Sequence, residues 1–171
     1  MKEITLRIDK EHVLYDVMNE TYLRGRSMLN GDNYKEVAAM YATMDDDNRG
    51  KIERSLQRAF ADVEAFLGEY LQYRSGRTAD DRLGDARREL RLELHVPSNY
   101  NEAGVRSLTE GVHGYMVHKT VSEWYLVTNK EEAESYELLS AADMKRISAA
   151  AAMRVRPVRE VKSKEDKGGK I

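Results

Sequence analysis

The sequence predicts a mainly α fold, with about five helices in a bundle, a small two-stranded β element and a flexible basic C-terminal tail. Apolar residues recur at helical spacing through most of the 171 residues, and they alternate with polar residues in only two short segments. Eleven glycines, two prolines and few clusters of valine and isoleucine argue against a β-sandwich or barrel. The length suits one domain, which we place at residues 1–156, followed by the tail at 157–171.

A strand and a helix are predicted at the start of the chain. Residues 3–8, EITLRI, alternate apolar and polar side chains as a half-buried strand does. Asp9 can cap the helix that follows. Gly25 weakens the end of that helix, and Asn30-Gly31 stops it. The helix is expected to bury one face, formed by Val13, Leu14, Val17, Met18, Thr21 and Tyr22.

Two more helices and a loop are predicted before the second strand. Residues 32–44 form a short helix. A longer helix starts after the acidic run at 45–47, whose charges complement the positive end of the helix dipole. The polar segment 74–89 contains two glycines and is interpreted as a loop. The longer helix has the clearest apolar stripe in the chain: Ile52, Leu56, Ala59, Phe60, Val63, Phe66, Leu67, Tyr70 and Leu71.

The second strand is predicted at residues 90–96, LRLELHV, and Pro97 ends it. We expect it to pair antiparallel with residues 3–8, because two strands need each other and a helical layer to be stable. The pattern leaves open whether the two strands belong to one chain or to neighbouring copies. Its apolar face, which we expect to be buried, consists of Leu90, Leu92, Leu94 and Val96.

Two helices are predicted after the second strand. Asn99 with Glu102 fits a capping box for the first of them, and Asn101 is an equally good cap. This helix spans about 102–127. Thr128 is expected to cap the last helix, which runs to about Arg154, and Arg156-Pro157 ends it.

Composition excludes several classes of site. The chain has no cysteine, which rules out disulfides, thiolate metal sites and a cysteine nucleophile. Its N-terminal segment lacks the apolar core of a signal peptide, and no apolar run approaches the ~20 residues that span a bilayer. We therefore expect a soluble protein made inside the cell, without a membrane partner.

No segment carries a recognised catalytic or metal-binding pattern. The acidic run DDDNRG at 45–50 fails as a calcium loop, because two positions that need oxygen ligands hold arginine and leucine. His113 and His118 do not share a helix face. Nucleophile elbows, phosphate-binding loops and dinucleotide fingerprints are absent. We expect no enzymatic activity, no cofactor and no metal, and we assign Trp124-Tyr125 to the core.

Charge is unevenly distributed along the chain. The net charge is −2, but residues 154–171 carry seven Lys/Arg against three Asp/Glu, so this segment is +4 and the remainder is −6. Such a tail can neutralise phosphates on nucleic acid, lie along an acidic groove of a protein partner, or keep the chain soluble. The acidic residues weaken the first interpretation. Apolar anchors at every third position favour the second: Val155, Val158 and Val161.

Several segments are specific enough to compare with a known group of proteins. They include EITLRIDKEHVLYDV, MDDDNRGKIERSL, VPSNYNE, TVSEWYLVTNKEEAESY and the basic RVRPVRE. With these segments, which span roughly residues 3–157, the chain resembles small virion structural proteins encoded in phages and prophages of gut Bacteroidales. The polar loop at 74–89 departs from that group's pattern, because it is richer in charge.

The resemblance implies a non-enzymatic role in the virion. The layout of helices, a small β element and a basic C-terminal extension is similar to head–tail adaptor (connector) proteins of tailed phages, whose copies form a ring under the portal. It implies a homo-oligomeric ring that contacts the portal and tail or neck proteins. It also implies localisation in the virion after synthesis in the host cytoplasm. The step from layout to role is an analogy between folds, and no catalytic or cofactor residue is carried over.

We expect partner contacts on the tail and on the polar loop. Two alternatives to the adaptor are kept: another neck, tail-completion or assembly protein, and a small nucleic-acid-binding regulator that uses the basic tail. Specific nucleic-acid binding is not expected, because the body of the chain is acidic. The candidate contact residues are Arg154, Arg156, Arg159 and Lys162 in the tail, and Arg77 and Arg82 in the loop.

Overall fold

The computed structural model describes residues 1–71 and 88–157, and it confirms the predicted mainly α fold class. These residues form five helices and a two-stranded antiparallel sheet. Most of the polar loop and the tail from residue 158 onward lie outside the described residues. In chain order the elements are β1 (Lys2–Asp9), α1 (Lys10–Ser27), α2 (Tyr34–Met40), α3 (Asp46–Phe66), β2 (Glu89–Val96), α4 (Gly104–Thr128) and α5 (Lys130–Ala151).

The two strands pair antiparallel within one chain, so the first of the two alternatives for β pairing is the observed one. Leu6 lies opposite Leu92, and Ile4 lies opposite Leu94. Alternation places one face of the sheet on the helices and leaves the other in solvent. The buried face carries Leu6, Ile8, Leu92, Leu94 and Val96, each at most 2% exposed.

The two outer edges of the sheet differ. The backbone N–H of His95 in β2 donates to the carbonyl of Tyr70 at 2.6 Å, and Leu71 forms a bridge with Leu94. The outer edge of β2 is therefore partly covered by the segment that follows α3. The outer edge of β1 has no backbone partner within residues 1–71 and 88–157.

α4 is the central element of the bundle. It lies along α5 as a helical hairpin, and its other sides contact α3, α1 and β1. The indole N–H of Trp124 donates to the carbonyl of Met40 at 2.9 Å, and Tyr125 is fully buried, so the assignment of this aromatic pair to the core is confirmed. Burial extends around most of α4: Leu108, Val112, Tyr115, Met116, Val117, Val121, Trp124 and Tyr125 are all buried.

The predicted cap at Asp9 is confirmed, and the acidic run at 45–47 supplies a second cap. The carboxylate of Asp9 accepts a hydrogen bond from the N–H of Glu11 at 2.9 Å at the start of α1. The carboxylate of Asp45 accepts one from the N–H of Asn48 at 3.1 Å at the start of α3. Each side chain satisfies a backbone donor that the first turn of a helix leaves without a partner.

The predicted cap of α5 is wrong by one residue. Thr128 is the last residue of α4, and its hydroxyl donates back to the carbonyl of Trp124 at 3.4 Å. Asn129 takes the extended conformation between the helices, with φ −159° and ψ 98°, and its side chain accepts from the N–H of Glu132 at 3.3 Å. Both residue types cap helices well, and the position of the turn selects Asn129.

The predicted capping box for α4 does not form. α4 begins at Gly104, after a short turn in which the side chain of Asn101 accepts from the N–H of Ala103 at 3.1 Å. The side chain of Glu102 pairs with Lys2 instead. A long-range ion pair has therefore replaced the local cap.

Two features of α1 also differ from the prediction. Tyr22 was assigned to the buried face but is 42% exposed, with its ring centroid 5.2 Å from that of Tyr41. Gly25 is buried inside the helix, which continues to Ser27. A Cβ at Gly25 would lie 2.7 Å from the ring of Tyr41, so glycine is needed here for close packing.

Candidate interaction surfaces

The C-terminal tail leaves the domain from a short antiparallel contact that we call the tail base, defined as residues 99–101 and 153–157. The N–H of Val155 donates to the carbonyl of Asn99 at 2.8 Å. The N–H of Asn101 donates to the carbonyl of Met153 at 3.2 Å. The tail therefore starts at a fixed point, close to the end of β2.

Tyr100 is the buried centre of the tail base. Its ring has no exposed surface, and its hydroxyl donates to the carbonyl of Ala150 in α5 at 3.1 Å. Burial raises the pKa of Tyr100, and the charge of Arg154 partly opposes this rise. Gly104 leaves room for the hydroxyl, because a Cβ there would lie 2.8 Å from that oxygen and 3.0 Å from the carbonyl oxygen of Ala150.

The residues that were predicted to contact a partner differ in their surroundings. Nη1 of Arg154 donates to the carbonyls of Ala151 and Met153 at 2.9 Å each, and its guanidinium lies 6.0 Å from the centre of the Tyr100 ring. A cation also suits the negative end of α5. Arg154 is thus engaged within the fold, whereas Arg156 is exposed. Outside the described residues lie Arg159, Lys162, Arg77 and Arg82.

An ion pair joins the tail base to the start of β1. The ammonium of Lys2 lies 2.8 Å from a carboxylate oxygen of Glu102 and 3.4 Å from the carbonyl of Tyr100. The hydrogen bond from Lys2 and its charge lower the pKa of Glu102. Both side chains are substantially exposed, so the pair positions the strand more than it stabilises the fold.

Two His–Asp pairs hold α4 on two sides. Nε2 of His113 lies 2.7 Å from Oδ2 of Asp16 in α1. Nδ1 of His118 lies 2.6 Å from Oδ2 of Asp143 in α5, and Asp143 is only 5% exposed. The spacing of the two histidines had placed them on different faces, and each face meets a different helix.

The surroundings of these pairs limit their chemistry. Within residues 1–71 and 88–157, no serine, threonine or tyrosine hydroxyl is hydrogen-bonded to His113 or His118. In the same ranges, no three His, Asp or Glu side chains are arranged to hold a metal ion. As arranged, the pairs connect α4 to α1 and to α5.

An apolar groove of about 450 Å³ lies between α3 and α5. Phe66, which is 44% exposed, forms one wall. Ala141 and Met144 line the α5 side. Tyr115 of α4 also lines the groove, and its hydroxyl donates to Asp62 at 3.1 Å. Apolar walls of this kind are typical of surfaces on which side chains of another protein pack.

Several exposed apolar side chains lie on α1, on α2 with the segment before it, and at the end of α4, and we call this set the apolar end. These elements are connected, because Arg24 of α1 pairs with Glu132 of α5 and the indole of Trp124 in α4 donates to the carbonyl of Met40 in α2. Exposed apolar residues that group together are typical of sites that contact other proteins. The apolar end carries Tyr22, Leu23, Leu29, Tyr34, Leu126 and Val127, each at least 42% exposed.

No pattern in the sequence predicted the tail base. Asn99 and Tyr100 follow the strand-ending proline, and the sequence predicts only a helix cap there, at Asn99. Their partners, Met153 to Val155, lie more than 50 positions away, beyond the reach of helical or strand periodicity. The basic RVRPVRE segment indicated where the domain ends. It did not indicate that the chain there contacts residues 99–101.

The described part of the chain has no helix that is long and apolar enough to cross a membrane. Comparison of the chain with protein-family models, with curated proteins and with solved structures gave no match.

Proposed function

We propose that this chain is a structural protein of a phage virion, and that it acts as a head–tail adaptor in a homo-oligomeric ring between portal and tail. The tail base is the observation that carries the proposal. Asn99 and Tyr100 of VPSNYNE contact Val155 and Arg154 of RVRPVRE there, and the chain resembles virion proteins through both segments. A basic extension then starts from a fixed point, which is what an arm that reaches a neighbouring subunit requires.

The distribution of charge supports an arm that binds protein. The tail segment is +4 and the rest of the chain is −6, so the arm of one copy is attracted to the body of the next. Contacts of this head-to-tail kind generate a ring when the rotation closes. Arg156 is exposed at the start of the arm, and Arg159 and Lys162 follow it in the sequence.

Exposed apolar side chains support contacts beyond the arm. The groove between α3 and α5 and the apolar end lie on different parts of the bundle. A ring subunit needs at least two separate contact surfaces, one for each neighbour, and a further one for the portal or the tail. These two surfaces are the natural candidates for the apolar part of those contacts.

Assembly with the portal protein of the same phage tests the proposal. Native mass spectrometry and negative-stain microscopy of the mixture should show a ring of this chain bound to the portal. Truncation after Pro157 should abolish the complex. The arm can be tested by an R159A/K162A variant, with K167A/K170A as a control that removes the same charge farther along the tail. A chain that remains monomeric and binds neither portal nor tail contradicts the proposal.

The basic tail also supports a second candidate, a small nucleic-acid-binding regulator. This candidate predicts DNA binding that falls steeply with salt, because lysine and arginine release counterions from the phosphates. Binding should be lost on truncation after Met153. Salt-dependent gel shifts separate it from the adaptor. Another neck, tail-completion or assembly protein would differ from the adaptor in its partner, which co-purification with tail rather than portal proteins reveals.

A further inference from the structure

We propose that two copies of this chain pair through the outer edges of their β1 strands, which joins the two sheets into one of four strands. The order of strands is β2, β1, then β1 and β2 of the second copy. This contact is independent of the virion role. It uses the same surface on both copies and closes at two, whereas a ring needs a separate head-to-tail contact.

The hydrogen-bond ladder decides which backbone groups of β1 face outward. In an antiparallel pair, opposed residues alternate between those that exchange two hydrogen bonds and those that exchange none. The N–H of His95 points away from β1, to Tyr70, so His95 and the opposed Glu3 exchange none. Thr5 and Arg7 have the same orientation as Glu3. The backbone N–H and C=O groups of Glu3, Thr5 and Arg7 therefore point away from β2.

These outward groups form a template for another strand. Among the described residues they have no backbone partner, whereas the corresponding edge of β2 is partly covered at Tyr70 and Leu71. β1 is eight residues long, which is enough for a stable ladder. An uncovered edge of this length readily adds a strand from another chain.

The side chains on β1 select a second β1 as the added strand. Two antiparallel copies centred on Thr5 place Glu3 of each copy opposite Arg7 of the other. In this register, every outward residue of one strand meets an outward residue of the other, so the backbone bonds can form. Opposite charges directly across a ladder stabilise the pairing. On the buried face, the same register places Ile4 opposite Leu6 and continues the apolar layer.

The present contacts of Glu3 and Arg7 leave both side chains available. Glu3 lies 3.6 Å from His95, and Arg7 lies 3.9 Å from Glu89. The side chains of Glu3 and Arg7 are 78% and 62% exposed. Exposed pairs at such distances contribute little, so exchanging them for contacts across the dimer costs little.

The surface beside this edge has room for a neighbour. A groove of about 440 Å³ lies between residues 7–9 at the end of β1 and residues 109–114 of α4. His12 of α1 also lines it. Side chains that extend past the end of a paired strand can enter this groove without displacing a helix.

Charge reversal tests the register. Glu3→Arg and Arg7→Glu each place like charges opposite one another twice in the dimer, so each should raise the dissociation constant about 10-fold at low salt. The double variant E3R/R7E restores both opposite-charge pairs and should return the constant to within about 2-fold of the original. Sedimentation equilibrium measures the dissociation constant of the original full chain, of the two single variants and of the double variant.

Substitution at the centre of the contact tests the backbone bonds. The N–H of Thr5 faces outward, so Thr5→Pro removes a bond across the dimer and leaves the β1–β2 ladder intact. Thr5→Val is the matched control, because it keeps the N–H and suits a strand. We expect monomer from the proline variant and dimer from the valine variant. Hydrogen exchange at the Thr5 amide should slow as the protein concentration rises.

Any of four results overturns the proposal. The first is a full chain that stays monomeric at about 100 µM, the concentration at which a weak strand pairing is still populated. The second is a dimer that responds equally to the single and double charge variants, and the third is a dimer that persists in Thr5→Pro. The fourth is a Thr5 amide that is protected in the monomer, which shows that the chain covers its own edge. None of these results bears on binding to the portal.

Discussion

Arg24 of α1 holds both carboxylate oxygens of Glu132 in α5, with Nε to Oε2 at 2.5 Å and Nη2 to Oε1 at 2.7 Å. The hydrogen bond to Glu132 raises the pKa of Arg24, desolvation opposes the rise, and the charge of Glu132 adds to it. Glu132 is 7% exposed, whereas the side chain of Arg24 is 45% exposed. This fork joins α1 to the α4–α5 hairpin, and a planar guanidinium suits its geometry.

Removal of Arg24 should destabilise the fold. Arg24→Ala leaves the buried carboxylate of Glu132 without its partner, and we expect a loss of about 1–2 kcal/mol in the free energy of unfolding, a range reduced because the arginine is partly exposed. Arg24→Lys should lose part of this amount, because lysine cannot form the fork. Urea unfolding measures both variants.

The matched control for Arg24 is Arg106→Ala. Arg106 pairs with Glu110 one turn along α4, and both side chains are well exposed. Its removal should change the free energy of unfolding by less than about 0.5 kcal/mol. Equal effects at Arg24 and Arg106 would show that the fork does not hold α1 to the hairpin.

Gly104 and Gly50 should respond in opposite directions to alanine. At Gly104 a Cβ would press on the hydroxyl of Tyr100 and the carbonyl of Ala150, so Gly104→Ala should lower the free energy of unfolding by about 1–3 kcal/mol. At Gly50, inside α3, the nearest group is the side chain of Arg54 at 3.9 Å. Gly50→Ala should therefore stabilise the fold by about 0.5–1 kcal/mol. Thermal unfolding compares the two, and a stabilised Gly104→Ala would mean that the tail base is loosely packed.

Four buried tyrosines should make the fold sensitive to alkali. Burial is the largest cause that raises the pKa of Tyr100, Tyr115, Tyr125 and Tyr136, and at the last three nearby carboxylates add to the rise. Because the folded pKa lies above the unfolded one, their contribution to stability is complete below about pH 10 and is lost as the pH rises toward the folded pKa.

A spectrophotometric titration tests this alkaline transition. Of the ten tyrosines, these four should ionise only in a late step that coincides with loss of the helical circular dichroism signal. Tyr136→Phe should remove one tyrosine from the late step. If all ten ionise together near about pH 10 while the helices persist, the burial of these side chains is not as described.

The elements of the fold were predictable because each buries one face. Alternation in β1 and β2 specified both strands and their antiparallel pairing, and periodic apolar residues specified all five helices of the described chain. The exposure of Tyr22 was not predictable, since helical spacing places residues on a face without saying how far the neighbouring helices extend over it.

The position of one helix cap and the contacts at the candidate surfaces were less predictable than the fold. Thr128 and Asn129 are adjacent and cap equally well, so the choice between them follows from where α4 ends. The contact of Tyr100 with Arg154 and the pair of Lys2 with Glu102 join distant segments that carry no shared pattern. Such contacts depend on tertiary packing, which local periodicity does not report.

The virion role is tested most directly by quantitative mass spectrometry of purified phage particles released by the bacterium that encodes this chain. A head–tail adaptor remains in particles washed with salt and treated with nuclease, so we expect this chain there at a fixed ratio to the portal protein. A chain that is abundant in the lysate but absent from the washed particles would contradict it.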